Sequence, residues 1–280
     1  MNENNKNNKK TAKKVLWIIV LLISIAAFVV ASYYLIDYFF FQQDDGMSRE
    51  QSTTEATQET STEAPNEAET QRFPYKTASL PENDFVDFDE LKDVNSDIYA
   101  WIYIPNTDVD YPVAQSPSGT SDSFYLTHNI YKNYQFSGTI YSEKKNSLDF
   151  TDPVTVLYGH NMLNGTMFAS LHKFNDKDFF DKNNTIFVFT EDTIFTYLIY
   201  SAYQYDDRHL LNSFDMEEST SFREFLDTTL LERPYYCNVR KDMKLSTEDR
   251  ILTLSTCMNG GGNVRYLVQG VLVDEQPAKR

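Results

Sequence analysis

Cysteine is nearly absent from this chain: 280 residues carry two, Cys237 and Cys257. Two thiols cannot make a disulfide framework. A single bridge could persist in an oxidising compartment, but a 32.5 kDa chain does not need one to hold its core, and the bridge would silence Cys257. Positive charge is also short, with 25 Lys and Arg against 41 Asp and Glu. That balance excludes the basic face a nucleic-acid partner requires. Histidine numbers four, scattered and with no cysteine nearby in sequence, so no metal site and no cofactor are expected. The acids Asp176, Asp178 and Asp181 read as a solvated surface in preference to a weak calcium loop. No repeat period is visible.

One long apolar run is present. Val15 to Ile36 carries no charge and follows Lys6, Lys9, Lys10, Lys13 and Lys14. As a helix it is about 33 Å long, the thickness of a hydrocarbon core. The lysines place the N-terminus in the cytoplasm and the remainder outside. Tyr33, Tyr34, Tyr38 and Phe39 to Phe41 suit the outer interface. A cleaved signal peptide fits less well, because the run is too long and Val29-Val30-Ala31 is a poor small-residue cleavage site. The expected organisation is a cytoplasmic basic tail over 1–14 and a transmembrane signal anchor over 15–41. A disordered acidic linker rich in Ser, Thr and Glu follows over 42–80, its charge keeping it extended. An extracellular folded domain covers 81–280.

Within that domain Phe85–Val94 has helical spacing, with Phe85, Phe88 and Leu91 on one face. Asp97–Ile104, Val109–Val113, Gly138–Ser142 and Val154–Tyr158 read as strands, and Pro112 suggests an edge or a bulge. Gly165–Leu171 reads as a short helix. Thr185–Thr190 and Ile194–Tyr203 form a hairpin around Glu191-Asp192. Met216–Leu231 reads as a helix with Phe222, Phe225, Leu226 and Leu230 on one face. Two final strands run from Ile251 to Thr256 and from Val264 to Val273. The fold class is mostly β with peripheral helices: a closed seven- or eight-stranded β-barrel, preceded by one transmembrane helix.

The last two strands carry the chemistry. Cys257 stands where its strand stops, before Met258-Asn259-Gly260-Gly261-Gly262-Asn263, and Arg265 opens the next. Paired antiparallel, the thiol and the guanidinium share one rim of the sheet. A cysteine nucleophile also needs a proton-transfer partner, which Arg265 cannot be, since it does not deprotonate in proteins. His160 follows Val154–Tyr158 at an equivalent strand end, after Gly159, which lets the backbone turn tightly. The other histidines have simpler readings. His128 lies in a polar loop, His172 closes a short helix whose dipole favours a cation, and His209 follows the charged Asp206-Asp207-Arg208.

Thr-Leu-Ser-Thr-Cys at Thr253–Cys257, the downstream Arg265 and Tyr-Gly-His-Asn-Met at Tyr158–Met162, in this order and spacing, resemble the sortase family. Gly165-Thr166-Met167-Phe168, Asp110–Gln115 and the helix before the nucleophile strand point to its class B, over about Phe85 to Val273. The resemblance implies a sortase-type barrel and a membrane-anchored cysteine transpeptidase of a Gram-positive cell. Such an enzyme cleaves a C-terminal sorting motif, Asn-Pro-x-Thr-x or a relative, at the threonine carbonyl. Cys257 would form a thioacyl-enzyme, and an amine of the peptidoglycan precursor would take the acyl group. His160 would act as acid and base, and Arg265 would hold the oxyanion. Expected substrate-binding residues are Ser255, on the thiol's strand face, Asn161 beside the histidine, and Asp122. At Asp122 the sequence departs from the asparagine common in the class before the aromatic-Tyr-Leu segment, here Phe124-Tyr125-Leu126, which leaves the sorting motif open. The rival readings are a pilin-polymerising sortase with a protein lysine as acceptor, for which Phe73-Pro74-Tyr75 is a weak echo of a lid, a cysteine peptidase, and a non-enzymatic surface domain.

Overall fold

The computed structural model describes residues 3–36, 72–82, 85–258 and 264–279. The chain divides into two units, Met1–Asp44 and Asp45–Arg280. The first is the helix α1, Glu3–Ile36. Its stretch Trp17–Tyr34 has a mean hydropathy of 2.3 and buries nothing within its own unit. By length and composition this helix is a candidate membrane span. The expected interfacial residues Tyr38 to Phe41 and the linker up to residue 71 lie outside the described residues.

In the second unit the elements run α2 (Phe88–Val94), β1 (Ile98–Tyr103), β2 (Asp110–Gln115), β3 (Ile140–Ser142), β4 (Val154–Tyr158), α3 (Lys177–Lys182), β5 (Thr185–Phe189), β6 (Thr193–Asp206), α4 (Leu210–Ser213), α5 (Ser219–Thr229), β7 (Cys237–Val239), β8 (Ile251–Cys257) and β9 (Val264–Pro277). Short 3-10 turns cover Phe124–Leu126 and Ala169–Asn175. The sheet order is β5-β1-β2-β3-β4-β8-β9-β6-β7, and β5 also pairs with β6. That last pairing closes eight strands into a barrel and leaves β7 as an appendage of β6, which bears out the expected closed barrel. Two pairs are parallel, β2 with β3 and β4 with β8, and the rest are antiparallel.

Strand alternation sends Val154, Val156 and Ile251 to one face, where Phe222, Phe225 and Leu226 of α5 cover them. Each such side chain stabilises the fold by roughly 1.5–3 kcal/mol on burial. Across the barrel, Phe88 and Leu91 of α2 cover Trp101, Phe187 and Phe189.

Several expectations differ in detail. The first domain helix starts at Phe88, because Asp87 caps it by accepting from the Glu90 N–H, and Phe85 is left exposed. Gly165–Leu171 is not a helix: Gly165 at φ +90° and Met167 at φ +58° break it, and a 3-10 turn follows. Pro112 lies on an interior strand. It is tolerated because pairing with β3 begins only at Val113, and the bulge falls on β1 between Ile98 and Ala100. Asp176 caps α3 and Asp181 pairs with Lys177 inside it, so these acids stand on a helix and not in a loop. Residues 72–80, expected at the end of the linker, are among the described residues. Arg72 pairs with Asp249 at 2.6 Å, the Tyr75 hydroxyl donates to Asp242, and the Ala78 N–H donates to Thr185 Oγ1, so residues 72–80 lie along the barrel. Both cysteines are free thiols.

Candidate active site

β8 delivers Cys257 to the barrel rim. Six residues of the strand are buried and the seventh, Cys257, is exposed. On one flank the antiparallel register with β9 runs unbroken from Ile251↔Val271 to Cys257↔Arg265. Directly opposed residues bring their side chains together, and an Arg265 Nη1–H donates to Cys257 Sγ at 3.8 Å. The expected pairing of thiol and guanidinium is therefore present.

On the other flank β4 runs parallel to β8, with Tyr158 opposite Ser255. His160 stands two residues beyond Tyr158, as Cys257 stands two beyond Ser255, so the two residues follow neighbouring strand ends at one level of the chain. The last rung is Gly159 N–H to Ser255 O at 3.1 Å. Gly159 is required here for space. A Cβ would lie 2.5 Å from Ile140 Cδ1 and 2.7 Å from Phe168 Cδ2. The φ of Gly159 is ordinary, so the tight-turn reading gives way to a packing one. Beyond it His160 Nε2 donates to the Leu126 carbonyl at 2.9 Å, and its ring stacks on Phe136 with centroids 5.2 Å apart. That bond puts the proton of the neutral ring on Nε2 and leaves Nδ1 for proton transfer. Burial holds the His160 pKa below the ordinary imidazole value, with the Leu126 bond opposing it.

The three expected substrate contacts have different settings. Ser255 is buried on the thiol's face of β8. The Asn161 Nδ2–H donates to the Cys257 carbonyl at 3.0 Å. Asp122 pairs with Lys144 at 2.8 Å, and Lys144 holds its carboxyl below the usual carboxylate range. Nearby, Tyr141 and Tyr158 stack at 5.4 Å, and Glu143 pairs with His209 at 2.6 Å.

His128 stacks on Phe124 and bonds its carbonyl through Nδ1, a brace within its own loop. His172 departs from its expected role at a helix end. Its Nε2–H donates to the Cys257 carbonyl at 3.0 Å, and its ring stacks on Tyr266 at 4.8 Å. Nothing in the local sequence signals this contact, which spans 85 residues.

A thiol beside a fixed cation, with an imidazole past the neighbouring strand end, is the equipment for nucleophilic acyl transfer. Comparison with known proteins agrees. Residues 102–273 match the model of the sortase domain. Sortase B of Listeria monocytogenes is 36% identical over 191 residues, covering 66% of this chain and 74% of that one. A Staphylococcus aureus sortase B–substrate complex superposes with a TM-score of 0.58, with 28% identity over 66% of this chain and 84% of that one. A Streptococcus pyogenes class B sortase involved in pilus biogenesis gives 0.56, with 27% identity over 67% and 98%. The chain belongs to the sortase family, in its class B, and is a cysteine transpeptidase.

Proposed function

We propose that the protein cleaves a C-terminal sorting motif of the Asn-Pro-x-Thr-x kind at the threonine carbonyl and transfers the protein so released to an amine of the peptidoglycan precursor. α1 is its anchor in the cell membrane of a Gram-positive bacterium, with the lysine-rich end in the cytoplasm and the barrel outside. The observation that carries the reading is the exposed Cys257 thiol with an Arg265 N–H 3.8 Å from its sulfur.

The Cys257 thiol passes its proton to His160 Nδ1, and the resulting thiolate attacks the threonine carbonyl carbon while Arg265 holds the oxyanion. His160 gives its proton to the departing amine as the C–N bond breaks, leaving a thioester. The acceptor amine then attacks, His160 takes its proton, and the thiolate leaves. Arg265 stabilises each tetrahedral state, an effect worth about 2.7–4 kcal/mol for a single oxyanion donor elsewhere. Ser255 and Asp122 contact the peptide. Asn161 is engaged by the carbonyl of Cys257 and has less to offer the substrate than its place beside His160 suggests.

A protein lysine as acceptor is the second reading, favoured by the likeness to a class B sortase involved in pilus biogenesis. Against it, the Phe73-Pro74-Tyr75 segment does not lie at Cys257. Arg72 and Tyr75 are tied to Asp249 and Asp242, beyond the opposite end of β8, about 20 Å along the strand.

Mass spectrometry of the enzyme with Asn-Pro-x-Thr-x peptides tests the proposal. A thioacyl adduct should form on Cys257 and be absent from Cys257→Ala, and an added amine should divert hydrolysis into transfer. Activity retained in Cys257→Ala, or hydrolysis indifferent to every amine, would remove the transpeptidase assignment at this site. A precursor amine tested against a lysine-bearing pilin-like protein separates the two acceptors.

A further inference from the structure

We infer that Asn161 and His172 form a two-donor clamp on the Cys257 carbonyl that positions the nucleophile where the β-ladder on its β4 flank runs out. The inference rests on Cys257 being the nucleophile.

In the parallel β4–β8 ladder, Ser255 O accepts from Gly159 N. Parallel rungs recur every second residue, so the next would run from Asn161 N–H to Cys257 O. It is not made: β4 has ended at Tyr158, and the Asn161 backbone bridges Met167 instead. A strand-end carbonyl without a donor would leave the terminal peptide plane of β8 free on that side. Two side chains take over the rung. Asn161 Nδ2 and His172 Nε2 each lie 3.0 Å from Cys257 O. A carbonyl only accepts, so His172 must carry its proton on Nε2.

The clamp also reaches the second strand of the site. The His172 ring stacks on Tyr266, which is fully buried and adjacent in sequence to Arg265. One imidazole thus touches the backbone of the thiol residue and the neighbour of the guanidinium residue. On the β9 flank no such device is needed, because the backbone rung Met258 N–H to Val264 O at 3.1 Å continues past Cys257. With the Cys257–Met258 peptide plane held from both flanks, Cys257 has a defined Cα–Cβ direction, and that direction sets the distance from sulfur to Arg265. Asn161 and His172 are positioning residues: they touch the nucleophile's backbone and leave its sulfur free.

Substitutions in the full chain can separate the donor from the ring. His172→Phe keeps the stack on Tyr266 and removes the donor. His172→Gln keeps an N–H near the Nε2 position and removes the ring. The clamp requires His172→Phe to lose roughly five- to tenfold in kcat, the scale of one hydrogen bond, with KM nearly unchanged. His172→Gln should stay close to wild type. Asn161→Ala should lose as much as His172→Phe, and Asn161→Asp more, since a carboxylate then faces the carbonyl. The Asn161 pair asks the same question from the other donor, so misfolding of one variant, seen in its melting temperature, leaves the other to decide. Alkylation of Cys257 by iodoacetamide needs no peptide and should slow in parallel in the donor-lacking variants. Wild-type kcat and alkylation in His172→Phe and Asn161→Ala, or a Gln variant slower than the Phe variant, would overturn the clamp. Activity surviving in Cys257→Ala would instead overturn the nucleophile assignment on which it rests.

Discussion

The two flanks of β8 bring their groups to Cys257 by different means. On the β9 flank, Arg265 is placed by backbone alone, through an unbroken antiparallel register and one more rung beyond it. On the β4 flank the ladder ends at Gly159. From there His160 is held by the Leu126 carbonyl, the Phe136 ring and its own chain reversal, which come from separate stretches of sequence. The guanidinium inherits the stiffness of a sheet, whereas the imidazole depends on several loops agreeing. Substitutions that leave the chemistry intact should therefore harm the β4 flank more than the β9 flank.

The largest effect falls on the imidazole itself. His160→Ala should lower kcat for transfer by about 10²–10⁴, the usual contribution of a positioned acid–base group. His128→Ala, which removes only a loop brace, should stay within about twofold of wild type in the same assay. Equal losses from both would mean that the β4 flank does not supply the acid. Arg265→Lys comes next, with a loss of about 10²-fold, since a point charge does not replace the planar fork. Its melting temperature should barely move, because β9 keeps its register whatever side chain it bears. A wild-type rate would show that charge alone suffices.

A matched pair of glycines sharpens the contrast. Gly159→Ala drives a Cβ to 2.5 Å from Ile140 Cδ1, and Gly270→Ala on β9 drives one to 2.9 Å from Tyr197 Cβ. Both should cost stability, about 1–3 kcal/mol by overpacking, read from denaturant unfolding. Gly159→Ala should also lower kcat several-fold by shifting the base of His160. Gly270→Ala should leave kcat intact in the protein that remains folded. Equal effects on kcat would erase the distinction between the flanks.

The same distinction explains how much of the site was legible in the sequence. Cys257 and Arg265 lie on consecutive strands, so alternation and antiparallel pairing were enough to bring them together. The eight barrel strands were readable for a similar reason, being apolar runs with clear turn residues between most of them. β7 escaped because three residues carry no periodicity. Residues 72–80 escaped because their attachment is by single side chains, such as Arg72 and Tyr75, reaching across more than 160 positions. His160 was legible only as a strand end. The groups that hold it, Leu126 O and Phe136, and the contact of His172 with Cys257 are tertiary and leave no local mark. Gly159 was singled out for turning freely, yet its φ is ordinary and the constraint is a crowded neighbour, which sequence does not display.

The smallest effect expected is a shift in pH dependence, and it too belongs to one flank. Burial holds the His160 pKa below the ordinary value, against the Leu126 bond that favours the imidazolium. Phe136→Ala should uncover the ring and let its pKa rise toward about 6.5, moving the His160 limb of the kcat–pH profile to higher pH. Stability gives an independent reading. With the folded pKa depressed, the unfolded chain takes up the proton first. Stability is then full above the ordinary imidazole pKa and is lost as pH falls through it toward the folded one. In Phe136→Ala the two pKa values approach each other, so this part of the acid sensitivity should shrink. His172, also held low by burial, packs on Tyr266 and not on Phe136, so its contribution should persist in the variant. An NMR titration of the imidazole protons would follow both histidines at once. If the His160 resonance kept its midpoint while the ring above it was gone, burial by Phe136 would not be what tunes the β4 flank, and the Leu126 segment would have to account for it alone.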